Sequence, residues 1–196
     1  MKLNDMKILP KNFYERDSAL VAKSLLGKIL IRKIDSKILA GRIVETEAYF
    51  GEKDPASRAY LGRPKHCVEL MHSKPGKILI YNVHNNWLLN VVAHEKGKAG
   101  AVLIRAIEPI EGIEEMKKNR KIKNVLELAN GPGKLTKALA IDKSLNGIDS
   151  TNEKNQISFY NSEENFEIAS SHRIGVTKDL PKKLRFFIKN NKFVSR

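Results

Sequence analysis

Apolar positions change period several times along the chain, and each change marks an element. From Phe13 to Leu26 they recur at helical spacing, and Gly27 follows. Asn12, with Glu15 three residues on, has the form of an N-terminal cap, so the pattern predicts one amphipathic helix stopped at Gly27. Residues 28–34 and 38–49 are β-rich runs on either side of Asp35-Ser36-Lys37, which reads as a hairpin. Residues 51–76 show no period and hold Gly51, Pro55, Gly62, Pro64, Pro75 and Gly76, which predicts a long loop. Long ordered loops in compact domains usually serve function. Apolar strands are predicted over 78–83, 87–92 and 101–107, and helices over 109–120 and 132–140. The polar stretch 146–156 reads as a surface excursion, and short strands are predicted over 157–160, 173–176 and 184–188. Many strands, about four helices and no βαβ alternation predict a mixed α/β fold. The expected architecture is a single compact domain over residues 1–196, with a curved, mainly antiparallel sheet and flanking helices.

Composition narrows the function. A chain of 196 residues, 41% hydrophobic and 30% charged, can bury a sizeable core and reads as globular. No apolar run approaches the ~20 residues of a membrane span, and the N-terminal Met1-Lys2-Leu3-Asn4-Asp5 is polar without an apolar signal core. The expected location is cytoplasmic, nucleoid-associated in a bacterial cell. The lone Cys67 excludes an internal disulfide and argues against a cysteine zinc site. The five histidines are scattered with no pair at ligand spacing, so neither a metal nor another cofactor is implied. Thirty-six Lys and Arg against 22 Asp and Glu give +14, which favours a polyanionic partner through counterion release. Lysine-rich surfaces also arise by compositional drift, so charge alone separates the two readings weakly.

Several residues stand out by context. Strand alternation puts Glu45, Glu47 and Tyr49 on one face, which suits the edge of a pocket and equally a solvated surface. Arg105 sits in the otherwise apolar 101–107 strand, where desolvation demands a partner. Glu47 or Glu45 could supply it, either as an active-site pair or as a purely structural one. Asn90, amid Trp87, Leu88, Leu89 and Val91, must be satisfied by backbone, water or ligand, and an amide suits a purine edge. Tyr81 fits a core position as well as the wall of a stacking pocket. Asn85-Asn86 tolerates left-handed backbone and predicts a tight turn with His84 projecting from its tip, where it could wedge into a base stack. Asn130-Gly131-Pro132-Gly133-Lys134 is a glycine-rich turn opening a helix, a form that suits a phosphate but also any plain helix start.

Taken together, these segments resemble the alkyladenine (3-methyladenine, or methylpurine) DNA glycosylase family, from about Leu26 to Ser195. The strings that carry the resemblance are Gly-Arg-Ile-Val-Glu-Thr-Glu-Ala-Tyr at 41–49, Val-Leu-Ile-Arg-Ala-Ile-Glu-Pro-Ile-Glu-Gly at 102–112 and Asn-Gly-Pro-Gly-Lys-Leu at 130–135. The resemblance implies a base-flipping hydrolase acting on damaged purines in double-stranded DNA as a monomer, without metal, cofactor, membrane or covalent lysine intermediate. It implies that Glu47 activates the hydrolytic water, held with it by Arg105 and the backbone carbonyl of Ile174. Tyr49 and Tyr81 would stack on the extruded base, and Asn90 would reject normal guanine. Lys134 with Asn130, Gly131 and Gly133 would grip phosphate. Two positions depart from the family's pattern. Arg58 follows Asp-Pro-Ala-Ser where the family places a histidine of the base pocket, and His84 stands where it places a tyrosine wedge in a segment one residue longer. A relative that binds lesions but cuts poorly is the rival reading.

Overall fold

The computed structural model describes residues 6–195; the polar segment 1–5, read above as carrying no signal, lies outside them. The expected helix over 12–26 is instead two. Pro10 stands at the N-cap of α1 (Lys11–Tyr14), and α2 (Ser18–Leu25) starts afresh at Asp17. The Asp17 carboxylate accepts the N–H groups of Ala19 at 2.8 Å and Leu20 at 3.3 Å. A capping side chain inside the pattern thus breaks the helix that apolar spacing alone would continue.

Strands β1 (Ile29–Ile34) and β2 (Lys37–Phe50) form the expected hairpin. The segment after β2 is not a bare loop. It holds α3 (Arg58–Leu61) and α4 (Lys65–Met71), too short to show a helical period, and Ala59, Cys67 and Met71 pack them onto the sheet. Strands β3 (Ile78–Val83) and β4 (Asn86–Val92) follow, and β5 (Gly100–Glu111) runs four residues past its expected end at 107. The helix expected from 109 therefore begins later, as α5 (Ile113–Arg120), after Gly112 turns the chain at φ 73°. A short helix α6 (Pro132–Ala138) and strands β6 (Ile157–Tyr160), β7 (Ile168–Ser171) and β8 (Arg185–Ile188) complete the order.

The 146–156 stretch is the expected surface excursion, exposed or half-buried except at Ser150, whose buried hydroxyl anchors it by donating to the Gly76 carbonyl at 2.6 Å. One more expectation is corrected. Residues 173–176 form no strand, because Arg173 turns inward onto buried carboxylates and Gly175 takes φ 74°.

Every strand pairing is antiparallel, in the order β3-β4-β5-β2-β1-β6, with β7 and β8 attached through β2. The result is a curled half-barrel with helices on both faces. The main core lies on the face that α2, α5 and α6 cover, through Val21, Leu25, Met116 and Leu135. The other face is covered by α3 and α4 over β3 and by the chain around β7 and β8. Between these covers it stays open. Among the described residues no helix is long and apolar enough to cross a membrane.

Candidate active site

The open face holds a cleft of about 1420 Å³. Its floor is β2 against β5, and their register is irregular there. Ile43 pairs with Ile107, Glu45 with Ala106 and Thr46 with Ile104, so Val44 is unmatched on one strand and Arg105 on the other. Bulges of this kind re-aim side chains and recur beside functional sites. Here they bring Arg105 to the face that carries Glu45, Glu47 and Tyr49, while Thr46 points the other way and donates to the Ala22 carbonyl of α2 at 2.9 Å.

Arg105 lies between both carboxylates that the sequence offered it. Its Nε donates to Glu45 at 2.9 Å, and its Nη1 lies 3.2 Å from Oε2 of Glu47. Glu45 and Glu47 are both fully buried. Glu45 is saturated with donors: besides Arg105 it accepts Arg185 Nε at 2.7 Å, the Ser195 N–H at 2.7 Å and the Ser195 hydroxyl at 2.8 Å. Glu47 accepts the Tyr49 hydroxyl at 2.8 Å on one oxygen and the Ile174 N–H at 2.8 Å on the other. Ile174 thus meets Glu47 through its amide. Burial raises the Glu47 pKa above the usual carboxylate range, opposed by Arg105, the Ile174 amide and the Tyr49 hydroxyl, while Glu45 adds to the rise. The Glu47 carboxylate is therefore a stronger base than a free glutamate, held under the cleft rather than in it.

Two aromatic rings wall the cleft, and each carries an arginine. Arg173 lies 4.5 Å from the Tyr49 ring centre and Arg58 lies 4.8 Å from that of Tyr81. Arg173 is locked. It donates to both oxygens of Asp54 at 2.7 Å and to the Ala48 carbonyl at 2.9 Å, and it pairs with Asp179. Asp54 in turn accepts the N–H groups of Phe50 at 3.0 Å and Ala56 at 3.1 Å. This clamp ties the chain after β2 to the 172–179 segment and so presents the Ile174 amide to Glu47. Burial, followed by the nearby Glu47 charge, pushes the Tyr49 hydroxyl well above its ordinary pKa and keeps it a donor.

At the rim, the turn between β3 and β4 is His84-Asn85, with φ 48° and 60°, one residue earlier than the Asn85-Asn86 expected; Asn86 already pairs with Val83. Positive φ at both central residues is the hairpin turn that matches strand twist. The Asn86 side chain abuts Gly133, where an added Cβ would lie 2.8 Å from it. Gly131 is extended at φ 163° and has room for a side chain. Lys134 Nζ donates to Asn130 Oδ1 at 2.9 Å.

The cleft is thus lined by Tyr49, Arg58, Tyr81, His84, Arg105, Asn130, Gly131, Gly133, Lys134 and Ile174, all singled out from the sequence. Glu47 lies beneath it. Asn90 does not open onto it: it is buried, and its amide nitrogen donates to the carbonyls of Leu79 at 3.2 Å and Leu88 at 3.3 Å. Asp54, Asp179, Arg185 and Ser195 belong to the site's support and were not anticipated. Arg185, a lone charge on the apolar β8, carried the same signal that drew attention to Arg105. Among the described residues no three His, Cys, Asp or Glu side chains converge as metal ligands.

Known proteins resemble the chain over nearly its whole length. The family model described as methylpurine-DNA glycosylase matches residues 12–192. A relative from Clostridium perfringens (strain SM101) is 45% identical over 204 residues, covering 96% of this chain and 98% of its own. One from Carboxydothermus hydrogenoformans is 45% identical (96% and 99% covered), and one from Aeropyrum pernix is 39% identical (97% and 94% covered). Each of these relatives bears the name "Putative 3-methyladenine DNA glycosylase".

Proposed function

The chain belongs to the methylpurine-DNA glycosylase family, and from that premise we propose that it releases alkylated purines from double-stranded DNA by hydrolysing their N-glycosidic bond. A base inside a duplex is out of reach, so the damaged nucleotide is extruded into the cleft, and damaged pairs extrude at lowest cost. The base stacks in the slot between the Tyr49 wall and the Tyr81 wall with its overlying Arg58, planar groups that suit planar rings. Glu47 accepts a proton from water as its oxygen bonds to the sugar C1′ and the bond to the purine nitrogen breaks. Arg105 holds the Glu47 carboxylate and the water in place. Because water, not an amine, makes the new bond, the product is an abasic site in an unbroken strand. His84 at the rim fills the gap the base leaves. Lys134, with the turn from Asn130 through Gly131 and Gly133, grips the backbone, whereas Asn90, turned onto the Leu79 and Leu88 carbonyls, takes no part in choosing the base. Duplex DNA bearing damaged purines is the partner, and the protein acts as a monomer.

The observation that carries this reading is the fully buried Glu47, raised in basicity and held by Arg105, Tyr49 and Ile174 beneath a cleft with aromatic walls. The test is base release from methylated duplex DNA, read by chromatography, for wild type and Glu47→Gln. Free methylpurines from the wild type alone support the reading. Binding without release by either protein would turn it into a lesion-binding role.

A further inference from the structure

We propose that Arg58, stacked on Tyr81, is the specificity-determining wall of the base slot and favours neutral purine lesions over cationic ones. The inference rests on the glycosylase reading and names its substrate class. The Arg58 guanidinium lies 4.8 Å from the Tyr81 ring centre, and both side chains line the main cleft. Tyr81 also borders a smaller hollow with Pro64, His66 and Trp87, which Arg58 does not line. The cation therefore covers the ring on the side where an extruded base would arrive.

A ring face attracts a cation through its negative π density, and one planar cation at contact fills that face. A base entering the slot then meets a guanidinium plane in place of an aromatic one. Guanidinium stacks well on a neutral purine. Against a purine carrying a quaternary nitrogen it sets like charge on like charge at contact distance, which in a partly desolvated slot is strongly unfavourable. The Tyr49 wall is itself backed by a cation, because one of its faces is taken by Arg173, held in place by Asp54 and Asp179.

Among the described residues no carboxylate neutralises Arg58. Arg105, Arg173 and Arg185 each have carboxylate partners, whereas Arg58 makes no ion pair among the described residues. Its backbone is fixed at the start of α3, where the buried Ser57 hydroxyl accepts the Ala59 N–H at 3.2 Å. Only the side chain can move, so its charge stays at the mouth of the slot.

The test is single-turnover excision from duplexes carrying one 7-methylguanine, a cation, or one hypoxanthine, a neutral base. Wild type, Arg58→Gln and Arg58→Lys are compared by their ratio of cationic to neutral efficiency, in which intrinsic bond strengths cancel. Arg58→Gln should raise the ratio about tenfold, worth ~1.4 kcal/mol. Arg58→Lys, which keeps the charge, should leave it within about threefold. An unmoved ratio in Arg58→Gln overturns the proposal. So does an equal loss on both duplexes with weaker, less salt-sensitive binding, the mark of a phosphate contact. Should wild type release neither base, the glycosylase reading fails, and the same ratio read as affinities in the Glu47→Gln background still decides the role of Arg58.

Discussion

Glu45, Glu47 and Arg105 on the floor of the cleft are held by donors from β5, β8, the 172–179 segment and the chain end, whereas His84 and Asn85 at its rim are exposed and held by little beyond their own turn. The floor concentrates charge away from bulk solvent, so each group there depends on its partners. The rim places backbone in the left-handed region with no burial to defend it. Changes at the floor should therefore move stability and chemistry together, and changes in the exposed turn should touch mainly the encounter with DNA.

The largest effect expected is at the clamp. Asp54→Ala leaves Arg173 buried with Asp179 alone, and removal of one partner of a buried pair costs about 3–5 kcal/mol. Urea denaturation measures it, and a loss below ~1 kcal/mol would erase the contrast between floor and rim. Glu45→Gln comes next. It removes a charge that orients Arg105 without touching the cleft, so base release should slow by about tenfold or more at nearly unchanged KM, with ~1–2 kcal/mol lost in stability.

Glu47 sharpens the contrast by its sign. Its folded-state pKa is raised, so its contribution to stability is full below the unfolded value near ~4.3 and is lost as pH rises through the folded value. Glu47→Gln should thus gain stability relative to wild type as pH rises, measured by thermal unfolding across pH, although it abolishes release. The rate of release in wild type should rise with pH along a limb displaced above that of a free carboxylate.

Smaller effects separate positions within the rim. Gly133→Ala forces a Cβ to 2.8 Å from the Asn86 side chain and should cost ~1–2 kcal/mol while loosening DNA binding. Gly131→Ala, with open space, should change stability by less than about 0.5 kcal/mol. His84→Ala should change stability least of all, within ~0.5 kcal/mol, and lower excision several-fold through a poorer hold on the extruded state.

What could be read from the sequence follows from this division. A charge inside an apolar strand, as at Arg105, announces a buried partner, and alternation alone put Glu45, Glu47 and Tyr49 on one side. The identity of the Arg105 partner stayed open because it depends on opposed bulges at Val44 and Arg105, and a register belongs to two strands at once. Asp54 was invisible for a similar reason: its role is to face Arg173 across a long gap in sequence, and the nearby Asp179 has a role only because Arg173 turns inward to that carboxylate. The helices α3 and α4 are shorter than the windows in which a helical period can be recognised. The turn at His84-Asn85 was displaced by one residue because Asn85 and Asn86 both accept left-handed backbone, and only the Val83–Asn86 pairing decides between them.

The fork in β2 has a consequence for how the molecule comes into being. One edge of this strand is shared: β1 takes Lys37 to Arg42, and β8 takes Glu45 to Glu47. The donors that saturate Glu45 include Arg185 and Ser195, which lie 140 and 150 residues downstream in the chain. Contacts of such separation form only when nearly all of the polypeptide is available, and loop closure makes them late. A nascent chain not yet extended through residues 185–195 would leave Glu45 and Arg105 short of partners and β2 with an unpaired edge beside Glu47. Synthesis and competence are thereby coupled, since the carboxylate floor matures only after residues 185–195 have left the ribosome and closed over it.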